Sequence, residues 1–196
     1  MRGRRAGLIL PVLAGALAAA AVASGCASDA VTVLKSSGPP SALAGARRVA
    51  ISFNYSRFRV GGVSEAEFIQ RRTEIEEPGF PARWRALKVA YERAFIEGFN
   101  AKWPPGSVIA FPSNDRVALV VVPSYIQLGR FTYVGTADRT SMAVAMGWLV
   151  RGAAVEEIQM MNWSSSSIFN ASVVQHAGRL GRLMGEKAGR YLSSRQ

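Results

Sequence analysis

Apolar and polar positions change period several times along the chain, and each change marks an element. Val49, Ile51, Phe53 and Tyr55 alternate with Ala50, Ser52 and Asn54, which predicts a strand with one buried face. After Gly61-Gly62, the stretch Ser64-Glu65-Ala66-Glu67 has the spacing of a capping box. The Ser64 hydroxyl would accept from the Glu67 amide while the Glu67 carboxylate reaches back. A short, charged surface helix or lid is predicted from there to about Glu77, stopped by Pro78-Gly79. From about Pro81 to Lys102, the residues Trp84, Leu87, Tyr91, Ala94, Phe95 and Phe99 recur at three- and four-residue steps. They predict a long helix with one apolar face, opened by proline at its first position and ended by Trp103-Pro104-Pro105-Gly106.

A sheet block follows. Val108 to Phe111 reads as a short strand, and Val117 to Val122 is an unbroken apolar run. Such a run predicts a central strand covered on both faces. Pro123 removes a ladder donor, so a bulge or edge is expected there. Tyr125 to Tyr133 reads as extended with a bend at Gly129, and Gly135 to Arg139 as a turn. Met142, Val144, Met146, Trp148 and Val150 then alternate with Ala143, Ala145 and Gly147, so one face is bulky and the other nearly bare. The bulky face is expected in the core. The bare face admits a close neighbour, either a helix or another subunit. Val155 to Trp163 reads as the last strand.

The final helix is expected behind Asn170, a good N-cap. Val173, Ala177, Leu180, Met184, Ala188 and Tyr191 share one face, and Gly181, Gly185 and Gly189 run beside it at four-residue spacing. Each glycine costs a helix about 1 kcal/mol against alanine, so three at one spacing predict a backbone packed close to something. The domain's own sheet is the expected neighbour, and a helix of another subunit is the alternative. Strand, helix, several strands and helix together predict an α+β domain. Its form would be a two-layer α/β sandwich with a mixed or antiparallel sheet and two long helices on one face.

The first 26 residues follow a different plan. Met1-Arg2-Gly3-Arg4-Arg5 is short and positive, Ala6 to Val22 is uncharged and mostly Ala, Leu, Val and Gly, and Ala23-Ser24-Gly25-Cys26 follows. A positive segment followed by an apolar run is a secretory signal. The run is slightly short for a membrane span and poor in Leu and Ile. The only cysteine of the chain stands behind three small residues. This resembles the processing site of bacterial lipoproteins, although Ala23 stands where those signals most often carry leucine. The resemblance implies cleavage between Gly25 and Cys26 and lipid attachment to the Cys26 thiol. The residue after the cysteine is Ala27 and not the aspartate that commonly retains such proteins in the inner membrane. That implies an outer-membrane anchor facing the periplasm. The expected organisation is a signal peptide over 1–25, a lipidated cysteine and flexible tether over 26–46, and one periplasmic domain over 47–196. Ala27 to Ala46 is rich in Ser, Ala, Gly and Pro, and Val31 to Leu34 within it could extend a sheet edge.

Charge adds less than it first suggests. The chain carries a formal +11, of which +8 remains once the three leader arginines are removed, and no basic run exceeds two residues. Anionic lipid or cell-wall polymer suits an exported basic protein better than nucleic acid, so no nucleic-acid partner is expected. Arg47, Arg48, Arg57 and Arg59 flank a strand bearing Phe53 and Tyr55, with Phe58 beside it. That interleaving occurs in single-strand-binding sheets, but alternating aromatics are the ordinary content of a core.

Catalytic chemistry has few carriers. One histidine, His176, and one cysteine committed to attachment leave no metal site and no cofactor site to expect. There is no nucleophile elbow, no phosphate loop and no dinucleotide fingerprint. Glu74, Glu76, Glu77, Glu156 and Glu157 could in principle supply paired carboxylates for glycoside hydrolysis, but on charged surface segments the ordinary reading is a solvated face. No catalytic residue is assigned. The element order, and the first strand, the Leu87–Phe99 helix and the Gly-Arg-Leu-Gly-Arg-Leu-Met-Gly helix in particular, loosely resemble a group of bacterial lipoproteins. Their small α/β domain is shared with the curli-secretion lipoprotein and the N-terminal domain of the Tol translocation protein. The resemblance implies binding and assembly, with an envelope protein or cell-wall polymer as partner and no active site. Two alternatives stay open: a subunit of an oligomeric outer-membrane secretion or transport assembly, and a cell-wall hydrolase using paired Glu residues. The candidate interaction residues are Ala143, Ala145 and Gly147 on the bare strand and Gly181, Gly185 and Gly189 on the last helix.

Overall fold

The structure is a computed structural model that describes residues 31–37, 43–44, 46–75, 78–103, 108–110, 117–127, 140–164 and 173–195. The leader, Cys26, Gly129, the 135–139 turn and Asn170 lie outside the described residues. The elements run in the order β1 (Val31–Ser36), β2 (Arg48–Phe53), β3 (Arg59–Val60), β4 (Val63–Ser64), α1 (Glu65–Ile75), α2 (Phe80–Lys102), β5 (Val108–Ala110), β6 (Val117–Gln127), β7 (Thr140–Val150), β8 (Ala153–Ser164) and α3 (Val173–Ser193). The fold is α+β, with an eight-stranded mixed sheet in the order β1-β8-β7-β6-β2-β5 and the small β3–β4 hairpin beside β6. β2 pairs parallel with β5 and β6, whereas β6–β7, β7–β8 and β1–β8 are antiparallel. The parallel pairs follow from the crossover through α1 and α2, which returns the chain to the end of the sheet where β2 began.

Both long helices cover the same face. Phe53, two residues beyond Ile51 on β2, packs edge-on against Phe95 of α2, with ring centroids 5.5 Å apart. Phe99 of α2 meets Trp148 of β7. Cross-strand partners share a face, and Trp148 is opposite Glu156, which Arg195 just beyond α3 reaches at 2.9 Å. The core between the layers holds Val49, Ile51, Leu119, Val121, Val144, Met146, Trp148, Ile158 and Met160 from the sheet, and Phe95, Phe99, Leu180, Met184 and Leu192 from the helices. The aromatics around β2 belong to the core: Phe58 stacks near Trp84 and is buried, and Phe53 and Tyr55 pack against the core partly buried.

Two local expectations are met and two are corrected. β1 pairs with β8 over Val31–Ser36, so the sheet-edge extension expected of Val31–Leu34 forms and six residues of the 26–46 segment are strand. The apolar run of β6 is buried only at alternate positions, Val117, Leu119 and Val121, with Ala118, Val120 and Val122 partly exposed between them, so one face is covered and not two. The bulge expected at Pro123 is present: the register shifts between Pro123 and Tyr125 within the long β6 strand, which absorbs the missing donor. Half of the capping box forms: the Glu67 amide donates to Ser64 Oγ at 3.2 Å, but the Glu67 carboxylate is paired with Arg71 one turn on.

Candidate interaction face

Register places the small residues of β7 on one surface. Ala143, Ala145 and Gly147 stand opposite Tyr125, Val122 and Val120 on β6, and opposite Met161, Gln159 and Glu157 on β8. The faces are fixed because Met142, Val144, Met146 and Trp148 turn inward and neighbouring side chains alternate. The two central strands therefore show Ala118, Val120, Val122, Ala145, Gly147 and Leu149 away from the helices, with no charge among them. Gly147 has little surface of its own, yet a Cβ built on it would meet nothing within 4 Å. Among the described residues, no helix covers this face. Glu157 on β8 lies opposite Lys35 on β1 at one rim.

The glycines of α3 have a different fate. A Cβ on Gly181, Gly185 or Gly189 would collide with the backbone carbonyls of Tyr91, Phe95 and Phe99 respectively, and one on Gly98 of α2 would collide with that of Arg182. The pairings advance together along both helices, so α2 and α3 run parallel in backbone contact. The expected neighbour was the sheet; the observed one is α2. Contact between backbones needs Cβ-free positions on both partners, and Gly98 is the one the helical pattern of α2 left unmarked. These glycines are consumed within the chain and offer no outer surface.

Ionisable groups are placed for structure. Glu156, for which a position near a turn predicts solvation, is instead buried on the helix side of β8 and accepts from Arg195, which also donates to the Tyr191 hydroxyl at 2.8 Å. Glu157, its neighbour along the strand, points to the opposite face, so the two cannot act on one substrate atom. Glu74 accepts from Gln70 on the exposed side of α1, and Glu76 and Glu77 lie outside the described residues. At the other end of the helix layer, Glu65 accepts from Trp84 Nε1 at 2.6 Å and pairs with Lys88 at 2.8 Å. Lys88 sits over the Tyr55 ring, 4.6 Å from its centroid. Burial, helped by the Glu92 carboxylate, pushes the Tyr55 and Tyr91 phenols far above their usual value of 10. Partial burial, then Arg179, lowers the pKa of His176. Among the described residues no group of three His, Cys, Asp or Glu could hold a metal.

One part of the surface carries no periodic signal of its own. Among the described residues the exposed large apolar ones are Val33, Leu34, Ile75, Val89, Met161 and Leu183, and three of these six lie on β1 and the adjoining part of β8. The signal was present in Val31-Thr32-Val33-Leu34, but only pairing with β8 turns it into a surface.

No known protein family matches the chain. No curated protein matches it in sequence. Solved structures that resemble it include the PelC dodecamer from Paraburkholderia phytofirmans, at 10% identity and a TM-score of 0.42, covering 81% of this chain and 97% of that one. A minor lipoprotein from Acinetobacter baumannii resembles it at 10% identity and a TM-score of 0.29, covering 76% of this chain and 91% of the other. Scores this low describe a likeness in general outline only.

Proposed function

We propose that the protein is a lipid-anchored binding or assembly component of the bacterial envelope, held in the outer membrane through acyl groups on Cys26 and facing the periplasm. It works without catalysis. The observation that carries this reading is the open sheet face: the two central strands present uncharged and mostly small or β-branched side chains from Ala118 to Val122 and from Ala145 to Leu149, and nothing among the described residues covers them. A flat apolar sheet surface is stable in water only when modest in size or when a partner covers it. The single cysteine behind a secretory leader supplies the anchor. Two or three acyl chains, at about 0.8 kcal/mol per buried methylene, make release negligible.

The test is a photo-cross-linking residue at Ala145 in living cells, compared with one at Arg93 on the exposed side of α2. A discrete adduct with an envelope protein or cell-wall polymer from position 145 alone supports the reading. No adduct there, or the same adduct from position 93, sinks it. Digestion of purified cell wall that disappears in Glu156→Gln or Glu157→Gln would instead revive the hydrolase reading.

A second reading, self-assembly through the same face, has its own support. β6, β7 and β8 are 11, 11 and 12 residues long. At about 3.3 Å per residue and 4.8 Å between strands, four neighbouring strands present a flat area of about 600 Å². That approaches the roughly 800 Å² each partner contributes to a standard stable interface. Under this reading the adduct from position 145 has twice the mass of the chain.

A further inference from the structure

We infer that the β1 edge of the sheet, with Val33, Leu34 and Lys35 on β1 and Met161 on β8, docks on the anionic phospholipid surface of the membrane that anchors the protein. The inference rests on the lipid anchor proposed at Cys26. It adds which part of the domain meets the bilayer.

Chain length sets the first constraint. Val31 is already hydrogen-bonded into the sheet, opposite Met160. Only four residues therefore separate it from Cys26, and the five Cα–Cα steps between the two span at most about 18 Å. A folded unit of this size has a radius of gyration of about 15 Å and a diameter of about 40 Å. The link is shorter than half the domain, so the domain cannot turn freely on it. β1 is also the outermost strand, with four strand spacings between it and β2. At about 4.8 Å per spacing, β2 lies roughly 19 Å further from the attachment than β1 does.

Surface chemistry points the same way. Val33 and Leu34 are each 44% exposed and Met161 is 41% exposed, which places half of the exposed large apolar residues among those described at the attachment edge. Apolar side chains bordered by a cation suit the headgroup layer of a bilayer, where methylenes and phosphates are both within reach. Lys35, opposite Glu157 of β8, supplies one cation on the same strand, and Lys187 Nζ, donating to the Met161 carbonyl at 3.4 Å, adds a second at the same edge. The outer backbone edge of β1 is unpaired among the described residues. Lipid phosphates can accept from its amides, as a further strand would. In this pose the sheet stands upright on the membrane, and its open face looks along the bilayer toward other envelope proteins.

The test uses the full-length lipidated protein in vesicles of phosphatidylethanolamine and phosphatidylglycerol. Lipidation consumes Cys26, so Leu34→Cys and Arg47→Cys each introduce a single free thiol for an environment-sensitive fluorophore. Arg47 precedes β2 and is exposed on the far side of the sheet. A lipid carrying a quencher in its headgroup region should quench the label at position 34 several-fold more than that at position 47, with both variants keeping the parental unfolding midpoint. Equal quenching, or stronger quenching at position 47, overturns the pose. Mass analysis of the N-terminal peptide separates the two failures. Diacylglycerol on Cys26 with equal quenching defeats the orientation alone, and an unmodified Cys26 defeats the anchor and the pose together.

Discussion

Gly185 packs so closely under Phe95 that a Cβ on it would overlap the Phe95 carbonyl and crowd the Phe99 amide as well. In an exposed helix, replacing glycine by alanine gains about 1 kcal/mol. At Gly185 the gain is overwhelmed, because the obstacle is backbone and can yield only by moving a helix. Overpacking of this kind costs about 1–3 kcal/mol. Gly178→Ala is the matched control, since a Cβ there meets nothing within 4 Å. Urea unfolding should show Gly178→Ala at or above the parental midpoint and Gly185→Ala well below it.

Tyr91 is buried, and its hydroxyl has no hydrogen-bond partner among the described residues. Burial first, and the Glu92 carboxylate second, hold its phenol far above 10 in the fold. In the unfolded chain the same group ionises near 10. Below that pH both states keep the proton and stability is unaffected. Above it the unfolded state releases a proton that the folded state retains, so stability falls as pH rises. Tyr91→Phe removes both the unsatisfied hydroxyl and the titration. It should be neutral or stabilising at pH 7, and its thermal midpoint should decline less than the parent's between pH 9 and 11.

α1 contributes no fully buried residue of its own. Its attachment depends on Phe68 packed against Phe80 and Trp84, and on Glu65, which Trp84 Nε1 and Lys88 both engage. Hydrogen bonds to a charged group contribute about 1.5–3 kcal/mol, with less expected here because the carboxylate is partly solvated. Glu65→Ala should raise amide exchange rates across Glu65–Ile75 several-fold while leaving α2 and the central strands protected. Equal acceleration throughout would mean that α1 is no separate unit.

Those elements differ in how far the sequence discloses them. α2 and β7 are plain in it, because the apolar period of each is set by a single covered face that local spacing reports directly. The capping serine of α1 is equally local. The β1 strand is not: six residues beside a Gly-Pro-Pro stretch look like linker until β8 supplies the partner, and that contact spans over a hundred residues. The glycine row of α3 reports close approach without naming the neighbour, since sheet and helix both require the missing Cβ. Glu156 misled for the same reason. Its position beside Glu157 suggests solvent, while strand alternation sends it alone into the core to meet Arg195.

That ion pair is the last case where structure and chemistry can be separated. Glu156 is 7% exposed, and Arg195, its side chain 28% exposed, engages both it and the Tyr191 ring, with the guanidinium 5.0 Å from the ring centroid. Removing one partner strands a buried charge, and in fully buried pairs this costs about 3–5 kcal/mol. Solvent at Arg195 should reduce that to about 1–2 kcal/mol here. Arg195→Ala should therefore lower the unfolding free energy by more than Glu156→Gln does. The double variant should be less damaged than the sum of the singles, because it leaves no buried charge behind. Arg93→Ala, which breaks the exposed Arg93–Glu97 pair, should change stability little in the same urea titration. Additive losses in the double variant would show that Glu156 and Arg195 do not depend on each other and would return Glu156 to the pool of residues available for another role.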